Sequence, residues 1–179
     1  MSLYTRTGDD GSTGTFGGNR IEKNSPRMHA VGDVDETNAA IGCVQDEALH
    51  PLQSLLFDVG ADLATPIDNE QVRRIDEADV AFLEQWIDEV DSKNTKLLAF
   101  VLPGGCEKAA RLHLARTVCR RAERSVMTLH QQKGCSVHLL IFINRMSDLL
   151  FALARLANKN EDVADIPWHP RLSESENNA

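Results

Sequence analysis

Residues 4–20 combine glycines with hydroxyl side chains and contain few apolar residues. Glycine permits positive φ and close backbone approach, so consecutive amides can converge on an anion, and Ser and Thr add hydroxyl donors. This composition suits a phosphate chain. The segment has no Walker A pattern, and its acidic pair at positions 9 and 10 lacks the ligand spacing of an EF-hand. A flexible N-terminus would have the same composition, so the segment needs a partner elsewhere in the chain.

A row of arginines in a predicted helix is a candidate for that partner. Arg116, Arg120 and Arg124, here called the arginine row, are four residues apart and share one helix face. Like charges at this spacing repel, which a protein tolerates when an anion or carboxylates lie opposite, and the planar arginine fork suits phosphate oxygens. Arg121 points in a neighbouring direction, and Glu123 lies within one turn of Arg120, whose guanidinium it could hold. The alternative is a solvated surface helix with ion pairs.

Carboxylates in the first predicted helix offer counter-charge to these arginines. Asp33, Asp35 and Glu36 lie in the segment GDVDETN, where one carboxylate could clamp one arginine while other arginines face a ligand. Asn144 follows an apolar run in the last predicted helix. Its amide either satisfies the helix bundle or reaches a ligand, and the sequence leaves both interpretations open.

The sequence gives little support for a metal site or for a catalytic triad or dyad. The four cysteines form no CxxC pair, so they lack zinc-site spacing, and we interpret them as reduced thiols. Glu47 and His50 form one ExxH motif, whereas a di-iron bundle needs two. Spacing reveals no catalytic triad and no Cys–His pair. Cys119, beside the arginines, is interpreted as a small core residue.

The composition favours one helical domain without a nucleic-acid surface. The chain has 179 residues, a net charge of −8 and 42% hydrophobic residues, which is enough for one core. No leader precedes the first polar motif, and no apolar run approaches the roughly 18 residues of a membrane span. We therefore expect a cytoplasmic protein that has neither nucleic-acid nor membrane partners.

About five helices must position the candidate residues, and no strand pattern is convincing. Ser25 and Pro26 predict the N-cap and first position of the first helix, Asp76 is a candidate cap of the third, and Gly134 ends the fourth. The fold class is therefore all-α, a five-helix bundle with an irregular Gly/Thr-rich arm. The predicted helices are residues 26–49, 52–66, 77–90, 107–130 and 137–159. The predicted organisation is one domain, residues 1–164, with the arm at 1–25, the bundle at 26–159, and a partly disordered tail at 165–179.

Five segments occur in an order that is specific for one family. They are YTRTGDDGSTGTFGG, VGDVDETNAAIG, FVLPGG, RTVCRRAER and NRMSDLLFALAR, and together they extend over about residues 3–158. With them the chain resembles the PduO-type ATP:cob(I)alamin adenosyltransferases, also called corrinoid adenosyltransferases. The resemblance implies a helical bundle that assembles as a homotrimer with active sites between subunits. It implies transfer of the 5′-deoxyadenosyl group of ATP to the cobalt of cob(I)alamin, with Mg²⁺ accompanying the ATP, to give adenosylcobalamin and triphosphate.

The resemblance also implies a role for each candidate residue. Arg120 would bind phosphate and stabilise the leaving triphosphate, and Asp35 would pair with Arg116 across the subunit interface. Phe100 would pack beneath the corrin ring and block the lower axial face of cobalt. Without water or the dimethylbenzimidazole tail on that face, cob(II)alamin is easier to reduce to the Co(I) nucleophile. The implied ATP-binding residues are Thr5, Arg6, Thr7, Gly8, Thr13, Gly14, Lys23, Arg120, Arg121, Glu123, Arg124 and Asn144.

Three positions depart from the family pattern. Asp10 stands where many members have lysine, which removes one positive charge near the phosphates and would weaken ATP binding or increase the reliance on Lys23. Thr37 replaces a usual leucine, and Cys106 replaces a small hydroxyl residue. The segment PWHP, residues 167–170, faintly resembles C-terminal family segments near the corrinoid.

Two functions other than the transferase stay open at this point. The chain could retain adenosylcobalamin and deliver it to a mutase, or it could be a structural or regulatory bundle that binds only nucleotide. The partners expected for a transferase are ATP, the corrinoid, a cob(II)alamin reductase and an adenosylcobalamin-dependent enzyme. The sequence names neither of these enzymes and does not identify the pathway.

Overall fold

The computed structural model describes residues 4–16, 18–69 and 72–170. Within these residues, five α-helices form a bundle that follows a two-stranded hairpin. The predicted all-α bundle is therefore confirmed. The elements are β1 (Ser12–Gly14), β2 (Arg20–Glu22), α1 (Pro26–Gly42), α2 (His50–Ala64), α3 (Glu77–Asp91), α4 (Glu107–Lys133) and α5 (Val137–Asn160), with a 3₁₀ turn at Glu47–Leu49.

The Gly/Thr-rich arm contains an antiparallel hairpin that the sequence did not predict. Thr13 faces Ile21 across the strand pair, and Lys23 N donates a hydrogen bond to Gly11 O at 2.9 Å beside it. Each strand has only three residues, too few for the alternation of apolar and polar side chains that identifies strands. The expectation of a wholly irregular arm was therefore wrong.

α1 begins as predicted but ends well before the predicted residue, Leu49. Ser25 is the N-cap, and its Oγ accepts a hydrogen bond from Met28 N. The helix ends at Gly42, and Gln45 then takes a left-handed backbone conformation at φ 58°. This residue turns the chain into the 3₁₀ segment, so the predicted single helix is divided before α2.

The other helix boundaries agree with the sequence analysis to within a few residues. Asp76 caps α3 through a reciprocal capping box with Asp79. Gly134, at φ 76°, ends α4 shortly after His130, and α2 ends just before Pro66. Caps and breakers act over one helical turn, which is why the sequence alone predicts them.

α4 and α5 form the centre of the bundle, where α1 packs on α4, α3 on α5 and α2 on α1. Phe142, Ile143 and Leu150 of α5 and Leu112 and Val126 of α4 are buried. Burying a side chain of this size stabilises the fold by about 1.5–3 kcal/mol. α5 has the length and hydropathy of a membrane span, contrary to the expectation from sequence, but half of that span is buried inside the bundle. Its central position accounts for its apolar composition.

The segment between α3 and α4 contains the predicted extended loop. Residues 100–102 of this loop pair with residues 166–168, which the sequence analysis assigned to the tail, so those tail residues are part of the folded structure. The pairing consists of Leu102 N to Ile166 O at 2.9 Å, Trp168 N to Phe100 O at 2.7 Å, and an antiparallel bridge between Val101 and Pro167. The polar end of the tail, residues 173–179, lies outside the described residues.

Candidate active site

Arg20 connects three residues of the arm through its side chain. Its guanidinium donates hydrogen bonds to Thr7 O and to Ser12 Oγ and lies 3.5 Å from Asp10 Oδ1. Asp10 Oδ1 also accepts hydrogen bonds from Ser12 N at 2.9 Å and from Ser12 Oγ at 2.8 Å, which lower the pKa of the Asp10 carboxyl. Asp10, which departs from the family pattern, therefore fixes the turn before β1 and balances the charge of Arg20.

The opening turn of the arm carries four of the predicted ATP-binding residues. Thr5, Arg6 and Thr7 are exposed, and the two threonine hydroxyl oxygens are 2.8 Å apart. Lys23 Nζ donates a hydrogen bond to Gly8 O at 2.7 Å. A Cβ at Gly8 would lie 3.1 Å from Lys23 Nζ, so glycine allows this close approach. The turn thus presents hydroxyl groups with an ammonium group beside them.

Arg120 is the least engaged member of the arginine row. Its side chain is exposed, and its guanidinium makes no hydrogen bond or ion pair with the described residues. Arg124, one turn later, is also exposed, and its Nη1 donates a hydrogen bond to Arg120 O at 2.8 Å. An exposed arginine fork without a protein partner, next to a second guanidinium, is suited to bind a phosphate.

Arg116 lies in a different environment from the rest of the row. It is half-buried, its guanidinium lies 6.0 Å from the Phe151 ring centroid, and burial lowers the pKa of the guanidinium. One turn earlier, His113 is buried, and burial lowers the pKa of its imidazole. Arg116 Nε and both ring nitrogens of His113 have no hydrogen-bond partner among the described residues. Such unsatisfied buried groups are rare in folded proteins and require an explanation.

Carboxylates of α1 form ion pairs with Arg121 and not with a member of the arginine row. Arg121 forms ion pairs with Asp33, at 3.6 Å, and with Glu36, and the hydrogen bond with Glu36 raises the pKa of the guanidinium. Asp35 is exposed and makes no ion pair with the part of the chain described here. The pair of Asp35 with Arg116 therefore stays a prediction about the assembly, because it is not formed within one chain.

Glu123 contacts Asn144 and not Arg120. Asn144 Nδ2 donates a hydrogen bond to Glu123 Oε1 at 2.9 Å, and Asn144 Oδ1 accepts one from Arg145 Nη1 at 3.1 Å. The described residues contain no ion pair between Glu123 and Arg120, so the expectation that Glu123 holds this guanidinium was wrong. Glu123 bonds to a partner on α5, and Arg120 has no ion pair among the described residues. One turn after Asn144, burial raises the pKa of the Asp148 carboxyl.

Four apolar side chains form an exposed surface beside the extended loop. Residues two apart on a strand point to the same side, so the pairing of Val101 with Pro167 orients these four together. We call this surface the apolar platform, and it consists of Phe100 (79% exposed), Leu102 (48%), Ile166 (61%) and Trp168 (48%). Exposed apolar patches on a folded domain mark binding surfaces. Sequence analysis identified Phe100, whereas Ile166 and Trp168 had only the faint signal of PWHP, because their contribution depends on pairing across the fold.

The polar contacts of Arg20 and Lys23 in the described arm stay within the arm. Thr13 and Gly14, two further predicted ATP-binding residues, lie in β1 of the hairpin. No hydrogen bond or ion pair joins the described residues 5–16 and 18–23 to the arginine row. Asp35 lines a groove of 470 Å³ between α1 and α2, close to the exposed Phe57. Among the residues that the structure describes, no three His, Cys, Asp or Glu side chains come together as a metal site.

Comparisons with known proteins identify close relatives. The family model for cobalamin adenosyltransferase matches residues 3–157. A corrinoid adenosyltransferase of Mycobacterium tuberculosis is 43% identical over 182 residues, which cover 94% of this chain and 93% of that protein. Two solved structures of the PduO-type ATP:corrinoid adenosyltransferase of Lactobacillus reuteri have a TM-score of 0.87 and cover 94% of this chain and 100% of theirs. One is a phenylalanine-to-alanine variant complexed with cobalamin and ATP, at 37% identity, and the other is an arginine-to-lysine variant complexed with ATP, at 38%.

Proposed function

This chain belongs to the cobalamin adenosyltransferase family, and we propose that it transfers the 5′-deoxyadenosyl group of ATP to the cobalt of cob(I)alamin. One observation carries the residue assignment. In the L. reuteri protein, the replaced phenylalanine and arginine are twenty positions apart, and Phe100 and Arg120 have the same separation. Phe100 is exposed on the apolar platform, and Arg120 has no ion pair within the described chain. These residues provide an apolar surface for the corrin and a cation for the phosphates.

The nucleotide half of the reaction uses the arm and the arginine row. A cobalt–carbon bond forms while the bond between C5′ of ATP and the triphosphate oxygen breaks, and the triphosphate takes the electron pair. Arg120 stabilises the negative charge that grows on this leaving group, with Arg124 beside it. Thr5, Thr7 and Lys23 hold the phosphates from the arm. Because Co(I) is itself the nucleophile, the reaction needs no general base from the protein.

The corrinoid half of the reaction uses the apolar platform. Phe100 occupies the lower axial side of cobalt and excludes water and the dimethylbenzimidazole tail. Losing the lower ligand makes cob(II)alamin easier to reduce to the nucleophilic Co(I) state. The support for this assignment is that Phe100, at 79% exposure, belongs to an apolar surface of four side chains, and such patches mark binding surfaces.

We infer that the active sites lie between the subunits of a homotrimer. Three observations support this: the side chains of Arg20 and Lys23 bond within the arm, Asp35 is an exposed carboxylate in an apolar groove, and Arg116 and His113 have buried nitrogens without partners among the described residues. Asp35 of one subunit pairs with Arg116 of the next. That contact completes a site in which the arm of one chain and the arginine row of another hold one ATP.

Mg²⁺ in this proposal is bound by the phosphate oxygens of ATP. The expected partners are a cytoplasmic reductase that supplies the electron for cob(II)alamin and an adenosylcobalamin-dependent enzyme that receives the product directly. Delivery is observable: product that stays bound until the acceptor enzyme or ATP is added supports direct transfer, and immediate free release contradicts it.

An anaerobic assay tests the proposed reaction. Purified protein, MgATP and chemically reduced cob(I)alamin are mixed, and the loss of the cob(I)alamin absorbance is followed. We expect rapid loss with formation of light-sensitive adenosylcobalamin. ATP binding without conversion above the protein-free control would instead identify a nucleotide-binding bundle.

The variant Phe100→Ala tests the corrinoid side of the site independently of the nucleotide side. It should abolish adenosylation of cob(II)alamin with a reductase and leave the Kd for ATP within about twofold of wild type, because Phe100 is not part of the nucleotide site. Phe82→Ala is the matched control, since Phe82 is a partly exposed aromatic residue of α3 that pairs with Trp86. Wild-type behaviour of Phe100→Ala would reject the platform assignment.

A further inference from the structure

A buried polar cluster at the C-terminal end of α5 holds the segment that follows the helix. Arg155 and Asn158, three residues apart on one helix face, are only 5% and 2% exposed. Arg155 Nε donates a hydrogen bond to Asp165 Oδ2 at 2.9 Å, and Asn158 Nδ2 donates one to Asp165 Oδ1 at 3.1 Å. We call Arg155, Asn158 and Asp165 the clamp. α5 therefore buries a charge and an amide at the point where the chain turns back.

The clamp also contacts the loop between α3 and α4, residues 92–106, near both of its ends. At the start, Arg155 Nη2 donates a hydrogen bond to Thr95 O at 2.8 Å. At the end, Asn158 Oδ1 accepts one from Cys106 N at 2.9 Å, and Asn158 Nδ2 donates one to Gly104 O at 3.1 Å. The two ends of the loop are thereby attached to one rigid helix.

Asp165 connects the clamp to the apolar platform. It directly precedes residues 166–168, whose backbone hydrogen bonds and bridge hold residues 100–102. Phe100 lies in the middle of the loop, so its position depends on the two loop ends and on its pairing with residues 166–168. The two loop ends, and Asp165 directly before residues 166–168, are each hydrogen-bonded to Arg155 or Asn158.

We propose that Arg155, Asn158 and Asp165 are positioning residues that set the place of Phe100 and Trp168 against the corrinoid. The inference rests on the proposed function for its ligand and on the contacts above for its geometry. Hydrogen bonds are directional, so a charged and hydrogen-bonded cluster fixes one register of residues 166–168 on the loop. An apolar contact of similar area would hold the two segments together without selecting their register.

Gly105 provides one test of the clamp. It has φ 113°, and a Cβ there would lie 2.0 Å from Asn158 Oδ1, so Gly105→Ala forces the Asn158 amide to move. Gly134→Ala is the matched control. Gly134 also has positive φ, at 76°, but a Cβ there meets nothing within 4 Å, and the residue lies at the other end of α4. Both variants strain the backbone, and only one disturbs the clamp.

Asp165→Asn provides an independent test that adds no steric clash. It keeps the size of the side chain and removes the charge that pairs with Arg155. Asp62→Asn is its matched control, because Asp62 is a 3% exposed carboxylate whose Oδ1 lies 2.7 Å from Arg74 Nη1, with no contact to the loop. Both changes weaken a buried ion pair, so a general loss of stability appears in both variants.

The first readout is amide hydrogen exchange at Leu102 and Trp168, measured without ligands in chains that circular dichroism shows to be folded. In Gly105→Ala and Asp165→Asn these two amides should exchange at least about tenfold faster than in wild type, while amides of α4 keep their rates. The controls should leave both amides unchanged. Unchanged exchange in Asp165→Asn would overturn the clamp, whatever the enzyme catalyses.

The second readout is the bound corrinoid. With ATP present, the paramagnetic resonance spectrum of cob(II)alamin gives the fraction without a lower ligand, and steady-state kinetics gives the KM for cob(II)alamin and for ATP. In both test variants that fraction should fall and the corrinoid KM should rise by about tenfold or more, while the ATP KM stays within about twofold. Faster exchange at the two amides without either change would overturn the positioning role. If the wild-type chain itself forms no adenosylcobalamin, the proposed function fails, and the exchange result still decides whether the clamp exists.

Discussion

Replacing Arg120 by alanine tests whether this residue stabilises the negative charge that develops on the leaving triphosphate. Arg120 is exposed on α4, and its guanidinium has no hydrogen bond or ion pair within the described chain. Its removal leaves no buried group without a partner, and alanine is a better helix former than arginine. The free energy of unfolding should therefore change by less than about 0.5 kcal/mol. A large loss of activity in this variant is then caused by the lost contact with the ligand and not by unfolding.

The expected loss follows from the chemistry of the leaving group. Removing one donor from a developing oxyanion lowers kcat by about 10²–10³, which corresponds to about 2.7–4 kcal/mol of transition-state stabilisation. Arginine presents two parallel N–H groups to a phosphate, so the upper part of this range is expected for Arg120→Ala. Arg120→Lys keeps the charge but loses the fork, and it should lose about tenfold, equivalent to about one hydrogen bond.

The assay measures kcat and the KM for ATP with saturating cob(I)alamin under anaerobic conditions. Arg111→Ala is the control, because Arg111 is on the same helix but pairs with Glu107. Its kcat should stay within about twofold of wild type, since surface ion pairs contribute little. A kcat for Arg120→Ala within about threefold of wild type, with assembly and ATP binding intact, would refute the assignment of the triphosphate site.

Three further predictions test the assembly, an acid sensitivity and the arm. Asp35→Arg or Arg116→Asp alone should dissociate the trimer, and the double exchange should restore it, as measured by size exclusion with light scattering. The lowered pKa of buried His113 means that the unfolded chain binds a proton that the native chain does not, so stability falls as pH drops below about 6.5, by at most about 1.4 kcal/mol per pH unit. His113→Gln should lose this dependence in urea unfolding at pH 7.5 and 5. Lys23→Met should raise the Kd for ATP about tenfold by calorimetry, because one charge-assisted phosphate contact is lost.

Each of these predictions has a result that contradicts it. A trimer in both single variants would remove Asp35 and Arg116 from the interface. An equal loss of stability between pH 7.5 and 5 in wild type and His113→Gln would assign the acid sensitivity to other groups. An unchanged Kd for ATP in Lys23→Met would limit Lys23 to its hydrogen bond with Gly8 O.

Helix positions in this chain follow from short-range rules and could be predicted. Ser25 and Asp76 cap helices through bonds to amides two or three residues away, and Gly134 stops α4 through its own φ. The four-residue spacing of the arginine row needs only the pitch of a helix. The end of α1 was predicted wrongly, because a single left-handed residue, Gln45, divides a pattern that otherwise reads as continuous.

The partners of the site residues could not be predicted in the same way. The sequence predicts that several carboxylates of α1 could pair with several arginines of α4. Only the packing of α1 on α4 decides that Asp33 and Glu36 form ion pairs with Arg121. Likewise, Glu123 bonds to Asn144 on α5, and Arg120 has no ion pair within the part of the chain that the structure describes.

The apolar platform depends most completely on the tertiary fold. Phe100 is recognisable in the sequence, but Trp168 becomes its neighbour only when the chain returns after α5 and pairs with the loop. Local chemistry along the chain sets where helices start, where they stop and which charges share a face, because those interactions extend over one turn. Which charge is paired, which stays free for a ligand and which apolar residues meet is selected by contacts between distant segments, whose energies depend on the packing of the whole bundle.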